Sequence, residues 1–530
     1  MTYLAVSIAV PAADEVDQAL AVAAGAVQDG ARLVEWRLDE LAGRPDDVTA
    51  ACELVRRSPA PSIATCRGRA EGGGYDGDQR SRATLYEALI LADHPPRYID
   101  IELSAWLGSE MLRRTITAAL GQVHDRDMHA SLMLSTHDFR QRPTDLLQRI
   151  EAMMNEELCA VTKVAWQARS LRDNLEALDL VTERRMPTIA LCMGPFGLMS
   201  RVLGAKAGAL LVYASTGPGV ETAPGQPPVA EFGNLYRFGK IDRATAVYGV
   251  IGWPVGQSLG PVIHNAGFEA VGHNGVYLPL PIPPEYEHFK ATVGSMVDHE
   301  RLGFRGASVT APHKENLVRF VRERGGDIDA LSRRLGAANT LVVSPSGALR
   351  CANTDASAFL ESLCGSMQVG RSNLRDQRVA LLGAGGVAGA VGGALADAGA
   401  VVVVFNRTLE RALALVDRLG RPARVGDLGP LGGSTGSFQI VVNCTPVGMV
   451  GGPAPDSSPL PDGLHLDGSV TVLDTVYAPR QTPLLLQAQE AGARAIGGLD
   501  MFLRQAARQF TLWTGHEAPI EVFRRSIEAT

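Results

Sequence analysis

Residues 379–390 read Val-Ala-Leu-Leu-Gly-Ala-Gly-Gly-Val-Ala-Gly-Ala, and this stretch decides the fold of the second half of the chain. An apolar run leads directly into Gly383-x-Gly385-x-x-Ala388, which predicts a strand, a tight turn and the start of a helix. In a Rossmann unit these glycines let the backbone approach a pyrophosphate at the helix N-terminus. The motif is weak by itself, because 57 of the 530 residues are glycine and chance matches arise.

The residues after the turn strengthen the prediction. A second apolar run, Val401–Phe405, ends at Asn406-Arg407-Thr408, roughly twenty residues beyond the turn. NAD sites place an acidic residue at this point, whereas an arginine accommodates the 2′-phosphate of NADP. Arg411 lies one helical turn further and adds a second cation. The sequence therefore predicts an NADP site that includes Gly383, Ala384, Gly385, Gly386, Val387, Ala388, Asn406, Arg407, Thr408 and Arg411.

The first part of the chain alternates short apolar runs with amphipathic segments such as Val16–Gln28 and Ser81–Leu91. The eight runs are Tyr3–Val10, Leu33–Leu38, Ser62–Cys66, Tyr98–Leu103, Ala130–Ser135, Cys159–Ala165, Pro187–Met193 and Ala209–Tyr213. Eight strand–helix units in this length predict an α/β fold of the (β/α)8 TIM barrel type. Two doubly wound sheets of four strands remain an alternative, because counting strands does not distinguish the two.

Boundaries between domains are marked by proline and glycine. A cluster of these residues between positions 218 and 228 predicts a linker, and a new α/β pattern begins at Val247–Gly252. A second boundary falls near Gly365–Arg378, just before the glycine-rich turn.

Composition excludes several classes of protein. Hydrophobic residues make up 46% and charged residues 20%, which is typical of globular domains and not of coiled coils, collagens or disordered chains. The net charge of −7 argues against a nucleic-acid partner. Seven scattered cysteines without a CxxC pair favour reduced thiols in the cytoplasm. The N-terminus predicts a strand rather than a signal peptide, and no apolar run reaches the roughly 18 residues of a membrane span.

In a barrel, chemistry takes place at the C-terminal ends of the strands. Lys163 stands inside the sixth apolar run, where a charged and unpaired lysine costs several kcal/mol. Two interpretations follow: a lysine paired with a barrel carboxylate, or a neutral amine that forms a Schiff base with a ketone. Arg67 and Arg201 are the cations that favour the neutral amine.

His137 follows the neighbouring fifth run by two residues, at the C-terminal end of the predicted strand. A histidine alone is more often structural, but beside a Schiff-base lysine it is the natural proton carrier. Arg67 and Arg201, aimed into the same barrel mouth, suit a carboxylate substrate.

Several motifs then follow one another in a specific order. They are Glu35-x-Arg37-x-Asp39, Arg67-x3-Glu71-Gly72-Gly73, Ser135-x-His137-Asp138, Lys163, Met193-Gly194-x2-Gly197-x2-Ser200-Arg201 and Ala223-Pro224-Gly225-Gln226. Together they resemble type I 3-dehydroquinate dehydratase over residues 1–228. The resemblance implies that Lys163 forms an imine with the C3 ketone of 3-dehydroquinate. His137 would remove the C2 proton and then protonate the departing C1 hydroxyl, with Glu71 in support.

The same resemblance implies the substrate contacts of the barrel. Arg201 would hold the carboxylate, and Glu35, Arg37 and Arg67 the ring hydroxyls and the field around the lysine. Thr222 and Gln226 would complete the substrate site. The family usually has serine at Thr222, where the hydroxyl survives, and another serine at Ala209, where it is absent.

A second set of motifs surrounds the glycine-rich turn. They are Ser258-Leu259-Gly260-Pro261-x2-His264-Asn265, Ser308-Val309-Thr310-Ala311-Pro312-His313-Lys314, Gly336-Ala337-Ala338-Asn339-Thr340, Asn353-Thr354-Asp355, Asn443-Cys444-Thr445-Pro446, Asp474-x2-Tyr477 and Gly498-x2-Met501-x3-Gln505. They resemble shikimate dehydrogenase over residues 245–530. The resemblance implies that Lys314 and Asp355 form the catalytic pair, with Lys314 on the carbonyl oxygen of 3-dehydroshikimate. Ser258 would bind the carboxylate, Thr310, Asn339 and Gln505 the ring hydroxyls, and Thr445 and Gly498 the cofactor.

Two departures concern the second half. Gly260 stands where the family has a second serine, a carboxylate ligand, and this leaves quinate as an alternative substrate. Gly389 stands where an arginine is common near the cofactor. A metabolite sensor without activity is disfavoured, because Lys163, His137 and the Lys314–Asp355 pair are all present.

The resemblances together imply a bifunctional enzyme, a lyase and an NADP-dependent oxidoreductase, that runs two consecutive steps of the shikimate pathway toward chorismate and the aromatic amino acids. They predict a dehydratase barrel at residues 1–228 and a substrate-binding domain at 245–364, completed by about 501–530. The Rossmann domain is predicted at residues 365–500. We expect small-molecule substrates, no metal, no membrane or nucleic-acid partner and a cytoplasmic location; the sequence predicts no oligomeric state.

Overall fold

The computed structural model describes residues 2–123, 126–426, 438–461 and 463–529. The chain divides into two compact units. The first comprises Met1–Ala246, Asn274–Pro281 and His299–Gly303, and the second comprises Val247–His273, Ile282–Asp298 and Phe304–Thr530.

Parallel strands form the core of the first unit. They are β1 (Tyr3–Ala9), β2 (Leu33–Arg37), β3 (Ser62–Thr65), β4 (Tyr98–Glu102), β5 (Ser131–Asp138), β6 (Cys159–Gln167), β7 (Thr188–Met193) and β8 (Leu211–Ala214). Their order in the sheet is β7-β6-β5-β4-β3-β2-β1-β8. The Leu210 N–H, next to β8, donates to the Thr188 carbonyl of β7 at 3.3 Å and joins the two ends of the sheet. The predicted (β/α)8 barrel is confirmed, and the alternative of two four-stranded sheets is wrong.

Helices cover the outside of this barrel. They are α1 (Val16–Gln28), α2 (Pro45–Arg56), α3 (Gln79–Leu91), α4 (Leu103–Gly108), α5 (Glu110–Val123), α6 (Leu146–Met154), α7 (Arg172–Thr182), α8 (Leu198–Val202), α9 (Gly204–Ala207) and α10 (Val229–Asn234). In α1 the apolar stripe Ala19, Leu20 and Ala23 is buried, as the 3.6-residue period requires. Across the described residues, no helix is long and apolar enough to cross a membrane.

Two barrel strands extend beyond their apolar runs. β5 continues to Asp138 and β6 to Gln167, because the parallel ladder still pairs His137 with Ala165 and Asp138 with Trp166. Polar side chains at a strand end carry no apolar signal, so the sequence places these ends too early. As a result, His137 lies on a strand and not on a loop.

The second unit contains a mixed sheet and the helices around it. Its elements are β9 (Ala246–Gly252), α11 (Gly260–Ala270), α12 (Tyr286–Asp298), β11 (Phe304–Val309), α13 (Lys314–Glu323), β12 (Asp327–Ile328), α14 (Ala330–Leu335), β13 (Thr340–Val343), β14 (Leu349–Ala352) and α15 (Asp355–Met367), while β10 (Gly275–Pro281), from the same stretch of chain, belongs to the first unit. Strands β9, β11, β13, β14 and β12 follow one another across the sheet. The β11–β13 and β13–β14 pairs are antiparallel, and the β9–β11 and β12–β14 pairs are parallel. Lys314 and Asp355 each stand at the first position of a helix.

A second sheet follows in the same unit. Its elements are β15 (Arg378–Leu382), α16 (Gly386–Asp397), β16 (Val401–Phe405), α17 (Leu409–Leu419), β17 (Arg424–Val425), β18 (Ile440–Asn443), β19 (Thr471–Asp474), α18 (Pro483–Glu490) and β20 (Arg494–Ile496), and the chain ends with α19 (Leu499–Thr514) and α20 (Ile520–Glu528). All pairs are parallel, in the order β17-β16-β15-β18-β19-β20. This is the Rossmann strand order 3-2-1-4-5-6, so the predicted Rossmann fold is confirmed.

Candidate active sites

Lys163 points from the middle of β6 into the barrel, where its side chain is only 6% exposed. Its Nζ donates three hydrogen bonds: 2.9 Å to Glu35 Oε1, 2.8 Å to Asp100 Oδ2 and 2.8 Å to the Tyr213 hydroxyl. Two carboxylates therefore stabilise the charged amine at rest. Of the two interpretations from sequence, the paired lysine describes this state, and the neutral amine has to arise by proton loss.

Asp100 connects the lysine to the rest of the barrel wall. Its Oδ2 also accepts from Arg67 Nη2 at 2.7 Å, and its Oδ1 accepts from the Ser135 hydroxyl at 2.5 Å. Burial by itself raises the pKa of Asp100, but Arg67 and Lys163 outweigh it and hold that pKa below its ordinary value. Arg67 is thus a partner of Asp100 and not an isolated cation that acts on the amine.

Glu35 is the second carboxylate on the lysine. Its Oε1 accepts hydrogen bonds from Thr65 at 3.0 Å and from the Tyr213 hydroxyl at 3.2 Å. Burial opposes ionisation, yet the Lys163 ammonium holds the pKa of Glu35 below its ordinary value. Glu35 is therefore an anion at neutral pH.

His137 is held by Glu71 at two points. The backbone N–H of His137 donates to Glu71 Oε2 at 2.8 Å, and Nδ1 of the ring is hydrogen-bonded to the same oxygen at 3.1 Å. Burial, together with Arg67 and Lys163, lowers the pKa of His137 well below its ordinary value. Burial raises the pKa of Glu71 to about 7. With Nδ1 on Glu71, the neutral ring presents Nε2 as the nitrogen that exchanges a proton with a substrate.

Arg201 is a buried cation without a carboxylate partner among the described residues. Its guanidinium reaches only two backbone carbonyls in that part of the chain, Tyr213 O and Pro224 O, each at 3.5 Å, and its buried Nε contacts no described acceptor. Burial lowers the pKa of Arg201 to about 10. A cation in such a position is stabilised by an anionic ligand.

Gln226 organises the loop after β8. Its Oε1 accepts from the Thr222 N–H, the Thr222 hydroxyl and the Ala223 N–H, at 3.1, 3.2 and 3.3 Å. The Gly194 N–H, at the end of β7, donates to Pro224 O at 3.0 Å and fixes the loop to the barrel rim. The Gln226 amide nitrogen donates no hydrogen bond to a described residue, so its N–H groups are available to a ligand.

Apart from Asp100, Ser135 and Thr65, the side chains described for the barrel line one cavity. Its lining consists of Glu35, Arg37, Arg67, Glu71, Gly72, His137, Phe139, Lys163, Ala165, Leu191, Met193, Arg201, Tyr213, Thr222, Ala223 and Gln226. All nine barrel residues proposed from sequence are among them. Arg37 binds Asp39 at 2.6 Å beside the cavity.

Sequence reasoning assigned no role to Asp100 or Tyr213. Asp100 carried a signal, an acidic residue inside the apolar run Tyr98–Leu103, and it is fully buried. Tyr213 carried no signal, because an aromatic residue in a barrel strand is ordinarily part of the core.

In the second unit, Lys314 and Asp355 form a buried pair. Lys314 Nζ donates to Asp355 Oδ2 at 2.5 Å. Asn339 Nδ2 donates to the other carboxylate oxygen at 2.9 Å and lies 3.3 Å from Gln505 Oε1. Four of the residues proposed from sequence therefore form one hydrogen-bonded cluster.

The other two residues proposed for this substrate site make local contacts. The Ser258 hydroxyl accepts the Gly260 N–H at 3.2 Å at the start of α11. The Thr310 N–H donates to Ile251 O, and a Cβ on Gly252 would lie 2.4 Å from the Thr310 methyl. No described contact joins either residue to Lys314.

The glycine-rich turn joins β15 to α16. Gly383 adopts φ +107°, and a Cβ there would lie 3.1 Å from Cys444 O, so the turn requires glycine. Ala384 and Gly385 complete the turn, with Gly385 as the helix N-cap before Gly386, Val387 and Ala388. A Cβ on Gly386 would lie 3.0 Å from Lys314 Cδ. The turn therefore places the helix N-terminus beside the Lys314 side chain.

The remaining residues proposed for the cofactor lie around this turn. Arg407 and Arg411 are exposed and form no hydrogen bond or ion pair with any described residue. Asn406 Nδ2 donates to Thr408 O at 2.8 Å. The Thr445 hydroxyl donates to Asn443 Oδ1 at 2.7 Å. Gly498 caps α19, where a Cβ would lie 2.6 Å from Thr475 O.

Comparison with known families covers both units. Residues 4–243 match the model of type I 3-dehydroquinase. Residues 250–341 match the shikimate dehydrogenase substrate binding domain, 366–447 the shikimate/quinate 5-dehydrogenase model, and 498–528 the shikimate 5′-dehydrogenase C-terminal domain.

Individual relatives give the same division. The chloroplastic bifunctional 3-dehydroquinate dehydratase/shikimate dehydrogenase of Arabidopsis thaliana is 32% identical over 523 residues, which are 96% of this chain and 82% of that protein. The NADP(+) shikimate dehydrogenase of Moorella thermoacetica is 40% identical over 294 residues, 54% of this chain and 94% of that protein. Among solved structures, the dehydroquinate dehydratase and shikimate dehydrogenase from S. pombe covers 99% of this chain and 98% of its own, with 23% identity and a TM-score of 0.43.

Proposed function

The chain belongs to the family of bifunctional 3-dehydroquinate dehydratase/shikimate dehydrogenases, and we propose from its geometry which residues carry out each reaction. The barrel dehydrates 3-dehydroquinate to 3-dehydroshikimate, and the second unit reduces 3-dehydroshikimate to shikimate with NADPH. Both are steps of the shikimate pathway.

Lys163 is the proposed nucleophile of the barrel. Its amine lies in the same cavity as His137 and Arg201, and this arrangement is the observation that carries the proposal. After loss of one proton, the nitrogen attacks the C3 ketone, and the carbinolamine that forms loses the ketone oxygen as water to give a protonated imine. The positive imine withdraws electrons from the ring, so the adjacent C2 proton becomes acidic.

His137 is the proposed acid and base. Its Nε2 takes the C2 proton and later returns it to the C1 hydroxyl, which leaves as water. Glu71 holds Nδ1 and so keeps the ring in the tautomer that this exchange needs. Arg201, which has no carboxylate partner among the described residues, binds the carboxylate of the substrate. Gln226 and Thr222 line the same cavity and complete the substrate site. After the elimination, a water molecule hydrolyses the imine, which releases 3-dehydroshikimate and the free amine.

The covalent step is tested by borohydride reduction of the full-length protein mixed with 3-dehydroquinate. We expect one adduct per chain, located on Lys163 by peptide mass spectrometry. Lys163→Arg, which keeps the positive charge but cannot form an imine, should give no adduct and no dehydration. Folded wild-type protein that turns over substrate without an adduct would overturn the Schiff-base assignment.

In the second unit, Lys314 is the proposed proton donor to the C3 oxygen of 3-dehydroshikimate, and Asp355 orients its ammonium. Asn339 and Gln505, on the same cluster, bind ring hydroxyls, while Ser258 and Thr310 are proposed contacts for the carboxylate and ring. NADPH, when bound, supplies the hydride. The Lys314 ammonium protonates the substrate oxygen on which negative charge develops. Lys314→Ala should therefore abolish reduction while dehydration continues.

The cofactor residues fit a phosphorylated dinucleotide. The Gly383 position excludes a side chain, which leaves the α16 N-terminus open to a pyrophosphate. Arg407 and Arg411, free of other described partners, suit the 2′-phosphate of NADP. We expect Arg407→Ala to raise the KM for NADPH much more than the KM for NADH.

Quinate oxidation is a second candidate activity, favoured by Gly260 in the place of a serine. Loss of one hydroxyl weakens carboxylate binding by about 1 kcal/mol and leaves room for a bulkier ring carbon. Wild type and Gly260→Ser are compared with shikimate and quinate, each with NADP+ and NAD+. We expect wild type to prefer shikimate with NADP+; faster quinate oxidation would reassign the substrate.

The domain limits and the location are also proposals. The ranges 1–228, 245–364 with 501–530, and 365–500 are supported by where the motifs begin and end. A cytoplasmic location is supported by seven cysteines that are all free thiols. Fractionation of the source cells tests the location.

A further inference from the structure

Tyr213 contacts Lys163 Nζ, the nitrogen that attacks the ketone, but is not one of the residues to which the proposed reaction gives a role. It projects from β8, is 3% exposed, and its hydroxyl lies 2.8 Å from Lys163 Nζ. The same hydroxyl donates to Glu35 Oε1 at 3.2 Å. The ring also lies beside the amine, with its centroid 4.3 Å from Nζ. An amine held at both the ring and the hydroxyl has little freedom to rotate.

The three acceptors around Nζ come from three different strands. Glu35 projects from β2, Asp100 from β4 and Tyr213 from β8, so each N–H of the ammonium has its own fixed direction. When one proton leaves, the nitrogen lone pair takes the direction of the lost N–H. Which proton leaves therefore decides where the amine attacks.

The direction toward Asp100 does not lead to substrate. Asp100 is fully buried, does not line the cavity, and already accepts from Arg67 and Ser135. Glu35 and Tyr213 both line the cavity, but of the two only the Glu35 carboxylate, whose Oε1 lies 2.9 Å from Nζ, is a base that can take the proton. Transfer of that proton breaks an N–H bond and forms an O–H bond on Glu35, and the lone pair then faces the cavity.

We propose that the Tyr213 hydroxyl is a positioning residue for Lys163: together with Asp100 it keeps two N–H bonds of the neutral amine and so aims the lone pair at the ketone carbon. The proposal rests on the Schiff-base function proposed above. Among the described residues, the charged and titratable groups that act on the phenol are Lys163, Glu35, Asp100 and Arg67. Burial, reinforced by Glu35 and Asp100, raises the pKa of Tyr213 well above its ordinary value, so the hydroxyl stays protonated.

Tyr213→Phe removes the hydroxyl and keeps the ring. We expect kcat for dehydration to fall about tenfold, which corresponds to one hydrogen bond of about 1.4 kcal/mol. The KM for 3-dehydroquinate should stay within about twofold, because Arg201 and Gln226 still bind the substrate. The initial rate of imine trapping by borohydride at saturating 3-dehydroquinate should fall by the same factor, because the hydroxyl aims the amine in the attack on the ketone.

Tyr86→Phe is the matched control. Tyr86 is a buried phenol of the same barrel, bonded to Cys66 N at 2.9 Å and to Asp100 O at 2.7 Å, with no described contact to Nζ. It measures the cost of deleting a buried hydroxyl and should leave kcat and the rate of imine trapping within about twofold of wild type.

A second variant keeps the experiment decisive if Tyr213→Phe folds poorly. Site-specific 2,3-difluorotyrosine at position 213 retains shape and hydroxyl but is a weaker acceptor, and it should lower kcat and the rate of imine trapping by a smaller factor. Absence of an adduct in wild type would refute the Schiff-base function itself. An adduct in wild type with unchanged kcat and trapping rate in both variants would refute the role of Tyr213 alone.

Discussion

Glu71 sets the acid side of the pH range in which the barrel works. Its pKa, raised by burial to about 7 from an ordinary 4.5, means that the carboxylate takes up a proton as the pH falls through 7. The protonated group is a poorer acceptor for His137 Nδ1, whereas His137 itself, whose pKa is lowered by burial, remains neutral. We expect kcat for dehydration to decline below about pH 7, measured as a pH–rate profile.

Glu71→Gln separates this titration from the other groups. The amide does not ionise, so the limb near pH 7 should disappear while the plateau falls roughly 100-fold. Protonation of Glu71 has the opposite effect on stability. Because the pKa of Glu71 is higher in the folded barrel, its proton stabilises the fold below pH 4.5, and this contribution is lost as the pH rises through 7. A limb that persists in Glu71→Gln would assign it to another residue.

Asp100→Asn tests the anion at the centre of the barrel wall. Arg67, Lys163 and Ser135 all donate to this carboxylate, and an amide cannot accept from all three. We expect the barrel to lose about 3 kcal/mol or more of unfolding free energy and nearly all dehydration. Thermal unfolding monitored by both activities measures this, with reduction of 3-dehydroshikimate largely retained.

Asp47→Asn is the control for Asp100→Asn. Asp47 is also a buried carboxylate, 6% exposed, but its partner Arg44 is 82% exposed. Its loss should cost less than about 1 kcal/mol. Equal losses in the two variants would mean that Asp100 is only one more buried carboxylate.

The polar residues that core packing does not require at their positions were predictable from sequence. Lys163 and His137 stood out because core packing does not require a lysine inside an apolar run or a histidine at the end of the neighbouring strand. The charge state at rest was not predictable, since Asp100 reaches Nζ only through the curvature of the closed sheet. Tyr213 was missed because a buried tyrosine on a strand is explained equally well by core packing of its ring and by hydrogen bonding of its hydroxyl.

At the scale of elements, the start of α16 is the most sensitive point of the second unit. Alanine is a better helix former than glycine, so Gly386→Ala should not weaken the helix itself. Its Cβ, however, would lie 3.0 Å from Lys314 Cδ and 3.3 Å from Lys314 Cβ. We expect the displaced lysine to lower kcat for reduction about tenfold, measured by NADPH consumption, with dehydration unchanged.

Gly389→Ala is the matched control on the same helix. There a Cβ would meet only Leu415 Cδ1 at 4.0 Å, which is an ordinary contact. The variant should keep the wild-type kcat. Equal losses at both positions would attribute the effect to the helix and not to Lys314.

Elements with a strong apolar core were predicted closely, as β16 shows with its unchanged limits Val401–Phe405. Strand ends that carry the chemistry were predicted too short, because hydrogen bonds to the neighbouring strand extend β5 and β6 beyond their apolar residues. Sheet closure also lay beyond counting, because it depends on the hydrogen bond from Leu210, next to β8, to Thr188 of β7, which joins the two ends of the sheet.

At the scale of the molecule, each site draws its residues from one unit. Lys163, His137 and Arg201 belong to the first unit, and Lys314 and Asp355 to the second. Two unrelated motif series, each in its own stretch of chain, were enough to predict this division. Among the described residues, no hydrogen bond joins Lys163, His137 or Arg201 to Lys314 or Asp355.

Complementation between two single-site variants tests this independence. Lys163→Ala should retain reduction of 3-dehydroshikimate and Lys314→Ala dehydration of 3-dehydroquinate, each within about twofold of wild type, since the changes lie in separate units. Mixed in equal amounts with 3-dehydroquinate and NADPH, the two should restore shikimate formation after a lag, because 3-dehydroshikimate leaves one chain and reaches the other through solution. The absorbance of 3-dehydroshikimate and of NADPH, recorded together, measures the lag and the final rate. A mixture that stays inactive while each variant keeps its own activity would mean that the intermediate passes only within one chain.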